Sequence, residues 1–430
     1  MTETQKNEST EIKFNSLGLS APILKAIEHH GYTQPSPIQA KAIPIVLKGN
    51  DIMASAQTGT GKTASFALPI LEHLSKSQRA QNNNVKVLIL TPTRELAAQI
   101  LASINTYSKF LEIKSAVVFG GVNIKPQKAK LNQGLDILVA TPGRLLDLYR
   151  QGSVKFTNLD IFVLDEADRM LDMGFIHDIR KLLKLLPQNR QTLMFSATFS
   201  KEIKTLAKQI TKNPVEISVT PQNTAAVTVS QSIYKVKKSQ KSDFLAHLAS
   251  KESWNQVLIF TKTKHGANKL TRFLNTKNLS ANAIHGNKSQ AARTKALADF
   301  KDNKTRILIA TDIASRGLDI NQLPLVVNYD LPYVAEDYVH RIGRTGRAGA
   351  SGKATSLVSI DETKLLSSIQ RLIKQDIEIK TCPDYKFEKE TKEINTKPNN
   401  SFFGSKKPSS NNSKNNNYRF KFRKKEKETK

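Results

Sequence analysis

The 430-residue sequence predicts an α/β protein: two consecutive domains, each a parallel sheet flanked by helices, followed by a disordered basic tail. Three observations predict it. The chain is longer than one hydrophobic core usually spans. Short β-rich apolar runs alternate with helical patterns, which implies parallel βα units and not a sandwich. The alternation lapses once, around residues 213 to 230, and then resumes.

Residues 1–12 are polar and are expected to be a flexible N-terminus. The first domain, 13–212, carries the runs "DIMASA" (51–56), "VKVLIL" (85–90), "SAVVFG" (115–120), "DILVAT" (136–141), "IFVLDE" (161–166) and "TLMFSAT" (192–198). Between them "TASFALPILEHLSK", "RELAAQILASINTYSKF" and "DIRKLLKLL" repeat apolar residues at helical spacing, so each helix can lay one face on the sheet. The proline-punctuated "NPVEISVTPQNTAAVTVS" reads as a linker over 213–228. The second domain, 229–385, repeats the pattern with "VLIFT" (257–261), "ANAIHG" (281–286), "RILIAT" (306–311), "LVVNYD" (325–330) and "KATSLVS" (353–359). From 386 to 430 the chain lacks the apolar content to fold alone.

Composition narrows the partners. Lysine and arginine total 66 against 37 acids, a net charge of +29 that points to a polyanion. The one cysteine, Cys382, excludes an intrachain disulfide and a cysteine-cage zinc site. No run approaches 18 apolar residues and "MTETQKNEST" has no apolar stretch, so neither a signal peptide nor a membrane span is expected. A reducing, cytoplasmic setting follows.

Two motifs carry the chemistry. "AQTGTGKT" (56–63) lies between a strand and a helix, the setting of a phosphate loop, although Ala56 stands where the strict pattern has glycine. The backbone of Thr58, Gly59, Thr60 and Gly61 can cradle phosphate oxygens, Lys62 can neutralise the terminal phosphates, and the Thr63 hydroxyl can hold magnesium. In "IFVLDEADRM" a buried strand runs directly into Asp165, Glu166 and Asp168. Clustered carboxylates need a positive partner. Asp165 sits where a second acid reaches the magnesium through water, and Glu166 is placed to orient the attacking water.

Together with "GYTQPSPIQ" (31–39), "PTRELA" (92–97), "GG" (120–121), "TPGR" (141–144), "SAT" (196–198), "QAAR" (290–293), "ATDIASRGLDI" (310–320) and "HRIGRTGR" (340–347), these motifs make residues 14–382 resemble the DEAD-box ATP-dependent RNA helicases. "LDMGFIHDIR", "TKHGANKL" and "AIHGNKSQ" look most like the bacterial RhlE subgroup. The resemblance implies two tandem RecA-like domains that bind ATP and Mg2+. It implies that Gln39 reads adenine, for which a side-chain amide offers the matching donor and acceptor, and that Phe14 packs on the base. Asp319 would bind the ribose, and Arg344 and Arg347 would reach across the cleft as arginine fingers. Ser196 and Thr198 would couple hydrolysis to unwinding through Asp168 and His340.

A nucleic-acid face is expected at the strand ends. Thr93 and Arg94 stand at a helix start, Gly120 and Gly121 allow close approach, and Thr141, Pro142, Gly143 and Arg144 repeat that arrangement. "TKTKHG" (261–266) and Arg316 offer similar contacts from the second domain. Such backbone contacts carry no base information, so binding should be largely sequence-independent; RNA over DNA is what the resemblance implies.

The expected protein is a cytoplasmic ATP-dependent RNA helicase that hydrolyses ATP when RNA closes its two domains and locally remodels short duplexes or RNA–protein complexes. The alternative is an ATP-gated RNA clamp or assembly scaffold with incidental unwinding; a DNA helicase is disfavoured by the motifs. RNA-decay or ribosome-assembly proteins are compatible partners, a membrane is not, and without coiled-coil heptads a monomer is expected. In the tail Tyr418, Phe420 and Phe422 alternate with cations, and from Phe387 onward 13 basic and 5 acidic residues give 13 − 5 = +8. This pattern suits a non-specific RNA tether. Removing residues 387–430 is expected to weaken RNA binding and flatten its salt dependence; an unchanged affinity and salt slope would count against the tether.

Overall fold

Seven short runs form the first sheet: β1 (Ile52–Ser55), β2 (Val85–Leu90), β3 (Ser115–Val118), β4 (Leu135–Ala140), β5 (Ile161–Leu164), β6 (Gln191–Ser196) and β7 (Val215–Ser218). Seven more form the second: β8 (Val229–Lys235), β9 (Val257–Phe260), β10 (Ala281–Ile284), β11 (Ile307–Ala310), β12 (Leu325–Asn328), β13 (Gly352–Val358) and β14 (Glu378–Ile379). This computed structural model describes residues 12–56, 60–219, 229–315, 318, 320, 322–346 and 352–387. The expected flexible start is almost wholly outside the described residues, as are most of the linker and the tail from Glu388.

Alternation within single strands sets the packing. In β2 Val87 and Ile89 join one apolar cluster while Leu88 and Leu90 join the cluster on the opposite face. In β4 Ile137 and Val139 divide from Leu138 and Ala140 in the same way. Both faces are therefore covered, as a parallel sheet with helical crossovers requires. All the strand pairs are parallel.

The first sheet runs β3-β4-β2-β5-β6-β1-β7 and the second β10-β11-β9-β12-β13-β8-β14. Counted within each sheet, the two orders are identical. The halves thus share wiring as well as architecture, and β8 occupies the place of β1. The phosphate loop follows β1; the polar "VKKSQ" follows β8. One domain carries the phosphate cradle, and the other carries only what can meet it.

One strand lies where a linker was expected, and a second starts just after it. Val215–Ser218 pairs with β1 at the sheet edge, where Ile217 is buried and Val215 exposed. Pro214, just before the strand, is compatible with an edge. The polar run "VSQSIYK" forms β8, which lies between β13 and β14; its Gln231 is buried and accepts a hydrogen bond from the Tyr338 hydroxyl at 2.9 Å. The tail boundary also moves. Phe387 meets Phe244 at a tilt with ring centroids 4.9 Å apart, so it packs against the second domain's core and a tail deletion should begin after it. Among the described residues no helix is long and apolar enough to cross a membrane.

The stretches that begin at Thr91, Thr141, Asp165 and Thr261 sit at the carboxyl edge of their sheets. Hydrogen bonds continue one residue past the strands, from Thr91 N–H to Ala140 O, Thr141 N–H to Val118 O, Asp165 N–H to Leu90 O and Thr261 N–H to Ala310 O. This edge is where open parallel sheets place their ligands.

Glu362 fastens the second domain. Its carboxylate accepts from the buried Lys241, from Lys262 at 3.0 Å, from Leu331 N–H at 3.0 Å and from Ser359 N–H at 3.2 Å. Those partners follow β8, β9, β12 and β13. Burial alone would raise the Glu362 pKa, but the Lys241 and Lys262 ammoniums outweigh it and hold it below the ordinary 4.5. Glu362→Ala, which leaves Lys241 buried and unpaired, is expected to cost about 3–5 kcal/mol in urea unfolding. Because the folded pKa is depressed, the contribution is present above the ordinary value and is lost as pH falls through the folded one. The gap to Glu362→Gln should therefore narrow on acidification; a pH-independent gap would contradict this account.

Candidate nucleotide site and nucleic-acid face

The phosphate loop is described from Thr60 onward, and Thr58 and Gly59 lie outside the described residues. Its end is fixed by the helix Pro37–Leu47, which opens with a capping box: Gln39 Oε1 accepts from Ser36 N–H at 2.8 Å. The other end of the same amide donates to Gly61 O at 3.1 Å. Gly61 has a φ of +92°, and a Cβ there would lie 2.4 Å from Gln39 Nε2. Only glycine fits both constraints. With these two bonds made, Gln39 retains one N–H and one lone-pair site, the pair that adenine recognition needs.

Lys62 begins the helix Lys62–Ser75 and is 6% exposed, yet its Nζ has no hydrogen-bond partner. A buried ammonium without a partner is costly, so the position fits an anion. Thr63 follows on the first turn of the same helix. Asp165, at the end of β5, is 3% exposed. Its pKa is raised to about 7: burial pushes it up, Lys62 pulls it back, and Glu166 and Asp168 push it up again. The lysine and the acids thus share one electrostatic site. It lacks positive charge on the acid side, which fits a divalent cation. Glu166 adopts a left-handed backbone, φ 53°, a conformation that costs a non-glycine residue about 1–3 kcal/mol and clusters at functional sites.

Three sets of predicted site residues have other partners in this structure. Asp168 accepts from the Ala197 backbone N–H at 3.0 Å, while Ser196 Oγ accepts from Thr198 N–H at 3.4 Å. The link from Asp168 to this strand end is made by the backbone between Ser196 and Thr198, not by their hydroxyls. Arg344 is 7% exposed and donates to Leu318 O at 2.8 Å and Ser315 O at 3.4 Å in its own domain. It does not extend across the cleft here, because buried carbonyls of the following-strand loop satisfy its guanidinium. Phe14, 7% exposed, packs with Leu17, Ile38 and Ile43 in the first core. It supports the helix carrying Gln39 and leaves little ring face for a base. Arg316, Asp319 and Arg347 lie outside the described residues.

His340 is placed near the junction of the two sheets. Its Nδ1 lies 4.0 Å from Asp337 Oδ1, and burial holds its pKa below the ordinary 6.5 despite that carboxylate. Asp337 also accepts from Arg169 at 3.2 Å, an ion pair that ties the helix after Glu166 to the second domain. A second tie joins Glu95 of "PTRELA" to Arg293 at 2.9 Å and to Gln290 at 2.8 Å. Sequence reasoning gave Arg169, Asp337, Glu95 and Arg293 no role. Each lies within or beside a motif, but only tertiary contact pairs them. Arg341, also passed over, is fully buried: it forms a bidentate pair with Asp312 at 2.6 and 2.7 Å and lies over the Phe260 ring.

The expected nucleic-acid contacts gather along the edge of the first sheet. Thr93 caps the helix Arg94–Tyr107, accepting from Leu96 N–H at 3.3 Å. Arg94 reaches over Gly121, where a Cβ would lie 2.1 Å from its Nη1. Thr141 is the N-cap of Pro142–Arg150, and the space beside Gly143 is open. Arg144 donates to Val122 O at 3.1 Å, so "TPGR" braces the loop after Gly120 and Gly121. Its Nη1 is buried with no partner, a second donor available to an anion. In the second domain Thr263 caps Lys264–Thr276, accepting from Gly266 N–H at 2.9 Å.

Two identically wired parallel sheets, one phosphate loop and an acid-ended strand define a two-domain nucleoside triphosphatase. The family model of the DEAD/DEAH box helicase matches residues 36–206, and that of the helicase conserved C-terminal domain matches residues 239–349. The chain is 42% identical over 382 residues to the DEAD-box ATP-dependent RNA helicase RhpA of Helicobacter pylori, covering 89% of this chain and 77% of that one. It is 41% identical to the ATP-dependent RNA helicase CshA of Limosilactobacillus reuteri, covering 84% and 72%. Among solved structures it resembles S. cerevisiae Dbp5 bound to RNA and ADP BeF3, with a TM-score of 0.76 at 33% identity over 85% of this chain and 95% of that one. The chain belongs to the DEAD-box family of ATP-dependent RNA helicases.

The Asp165 environment yields a pH dependence. A carboxyl whose folded pKa is raised from 3.8 to about 7 binds more protons folded than unfolded, so it costs stability as pH rises through that window. In nucleotide-free and magnesium-free protein, Asp165→Asn is expected to stabilise by roughly 2–4 kcal/mol at alkaline pH, shrinking towards zero near the unfolded pKa. Urea titrations across that range check it; a gain that does not vary with pH would refute the burial argument.

Proposed function

We propose that this chain hydrolyses ATP when RNA draws its two domains together, and that it uses the cycle to separate short duplexes or remodel RNA–protein complexes locally. The observation that carries this reading is the unpartnered, buried Lys62 Nζ beside the burial-shifted Asp165. The pair is incomplete without a phosphate on one side and a cation on the other.

Gln39 would orient the base, and Lys62 would hold the terminal phosphates. Thr63 and Asp165 would hold Mg2+, which supplies charge compensation at those phosphates. Glu166 would orient a water for in-line attack on the γ-phosphorus; the bond to the ADP oxygen breaks as the water's proton passes to solvent or Glu166. Arg344 would exchange its carbonyls at Ser315 and Leu318 for the γ-phosphate, with Arg347 beside it. Because those carbonyls belong to the "SRGLD" loop, that exchange would also release the loop carrying Arg316 and Asp319. Arg94 and Arg144 would hold the RNA backbone against the first domain.

Steady-state ATPase assays without nucleic acid, with RNA and with matched DNA provide the test. RNA is expected to stimulate strongly and DNA weakly; equal stimulation would remove the RNA assignment. Arg344→Ala and Arg347→Ala are expected to lower the RNA-stimulated kcat by ~10³ or more while RNA affinity holds. Glu166→Gln should bind RNA in the presence of ATP and release it slowly. A fast-releasing Glu166→Gln protein would contradict the role given to that carboxylate.

A further inference from the structure

The last described residues fold back on the second domain as a strap. Tyr385 meets Phe244 edge-on and Phe387 meets it at a tilt, each with ring centroids 4.9 Å apart, and Tyr385 meets His247 at 5.4 Å. This contact brings together three side chains of different chemistry. His247 is on the helix Lys241–Lys251, and Cys382 and Asp384 come from the strap. One nitrogen, one sulfur and one carboxylate oxygen from them all lie within 4.8 Å of one another. His247 Nε2 is 3.1 Å from Asp384 Oδ2, and Cys382 Sγ is 3.1 Å from Asp384 Oδ1.

We propose that His247, Cys382 and Asp384 form a binding site for Zn2+ or a similar borderline-soft divalent ion, which clamps the strap to the second domain. Zinc bonded at ~2.0–2.1 Å to nitrogen or oxygen and ~2.3 Å to sulfur needs donors ~3.3–3.7 Å apart in a tetrahedron. The three donors require only sub-ångström to about one-ångström adjustment to reach that spacing. Mixed nitrogen, sulfur and oxygen ligation suits zinc and disfavours magnesium or calcium. The lone cysteine excludes a cage of cysteines, but a site with three protein ligands needs only one, with water as the fourth ligand. Cys382 is 6% exposed, whereas His247 and Asp384 open to solvent and give the ion a way in. Lys251 is the competitor: in the ion-free protein it pairs with Asp384 at 2.7 Å. It is half-exposed, so its ammonium can turn to water when the ion arrives. Binding exchanges the Cys382 thiol proton for the metal and releases that proton to solvent.

The test uses the full chain, stripped with a chelator and titrated with Zn2+ alone against a chromophoric competitor. One equivalent is expected to bind. Changing an outer-shell partner costs about 10–100-fold in affinity, so removing a ligand by His247→Ala or Cys382→Ser should weaken the site at least tenfold. Co2+ in place of Zn2+ should give a thiolate-to-metal charge-transfer band in the wild type that Cys382→Ser lacks. His247 is partly exposed, so its alanine variant should keep its fold and its RNA-stimulated ATPase, separating this site from the catalytic edge. Zinc affinity unchanged in the His247→Ala, Cys382→Ser double variant, or the lack of a charge-transfer band in the wild type, would overturn the proposal.

Discussion

Buried, incompletely compensated charge at the carboxyl edge of the first sheet is the constraint on which the rest of the site depends. Lys62 and Asp165 are each nearly inaccessible to water, and the attraction between them does not restore Asp165 to its ordinary pKa. A fold tolerates such a pair only if the surroundings fix both groups in place. The helix beginning at Lys62 and the strand ending at Leu164 do so from opposite sides, and the Gln39 amide holds Gly61 in the left-handed turn between. The cost is met by the many apolar residues that cover both faces of the sheet, in which Asp165 and Lys62 are small exceptions.

Identical wiring of the two sheets makes the differences between them informative. At the position of β1, β8 is followed by no glycine-rich turn, and the second domain contributes arginines instead. Arg341 is locked by Asp312, Asn328 and the Asp330 carbonyl, so it is a structural pillar. Arg344, three residues on, donates to the Leu318 and Ser315 carbonyls, neutral partners that a phosphate can replace. A bidentate carboxylate is among the strongest partners a guanidinium can have, which is why Arg341 is a fixed support.

Much of this was legible in the sequence because it depends on local pattern. Apolar runs such as "VKVLIL" and "LVVNYD" announce buried strands by composition, and "GTGKT" or "DEAD" announces a strand end by spacing. What escaped depends on tertiary pairing. β8 reads "VSQSIYK", and nothing local reveals that Tyr338 will satisfy Gln231 inside the sheet. Arg169 and Asp337 are ordinary surface charges until two helices, 168 residues apart in sequence, place them together. Phe387 looked like part of a polar tail because its partner, Phe244, lies on the distant helix Lys241–Lys251. Phe14, which the resemblance placed against the base, packs in the first core, as its apolar side chain alone would suggest.

The link between Asp168 and the "SAT" strand end bears on how phosphate state could reach the RNA face. A hydroxyl contact can be lost by side-chain rotation, whereas the Ala197 N–H moves only with the backbone of β6 and the segment that follows it. Asp168 stands one residue from Arg169, and Arg169 pairs with Asp337, which His340 approaches. Glu95, beside Arg94 of the nucleic-acid face, pairs in turn with Arg293 of the second domain. Asp168, Arg169 and Glu95 thus make backbone and ion-pair contacts, two of which cross between the domains. Such contacts break as units, because a buried half-pair is costlier than either a closed pair or a solvated one. That asymmetry favours two discrete arrangements over a continuum, the property a switch driven by phosphate requires.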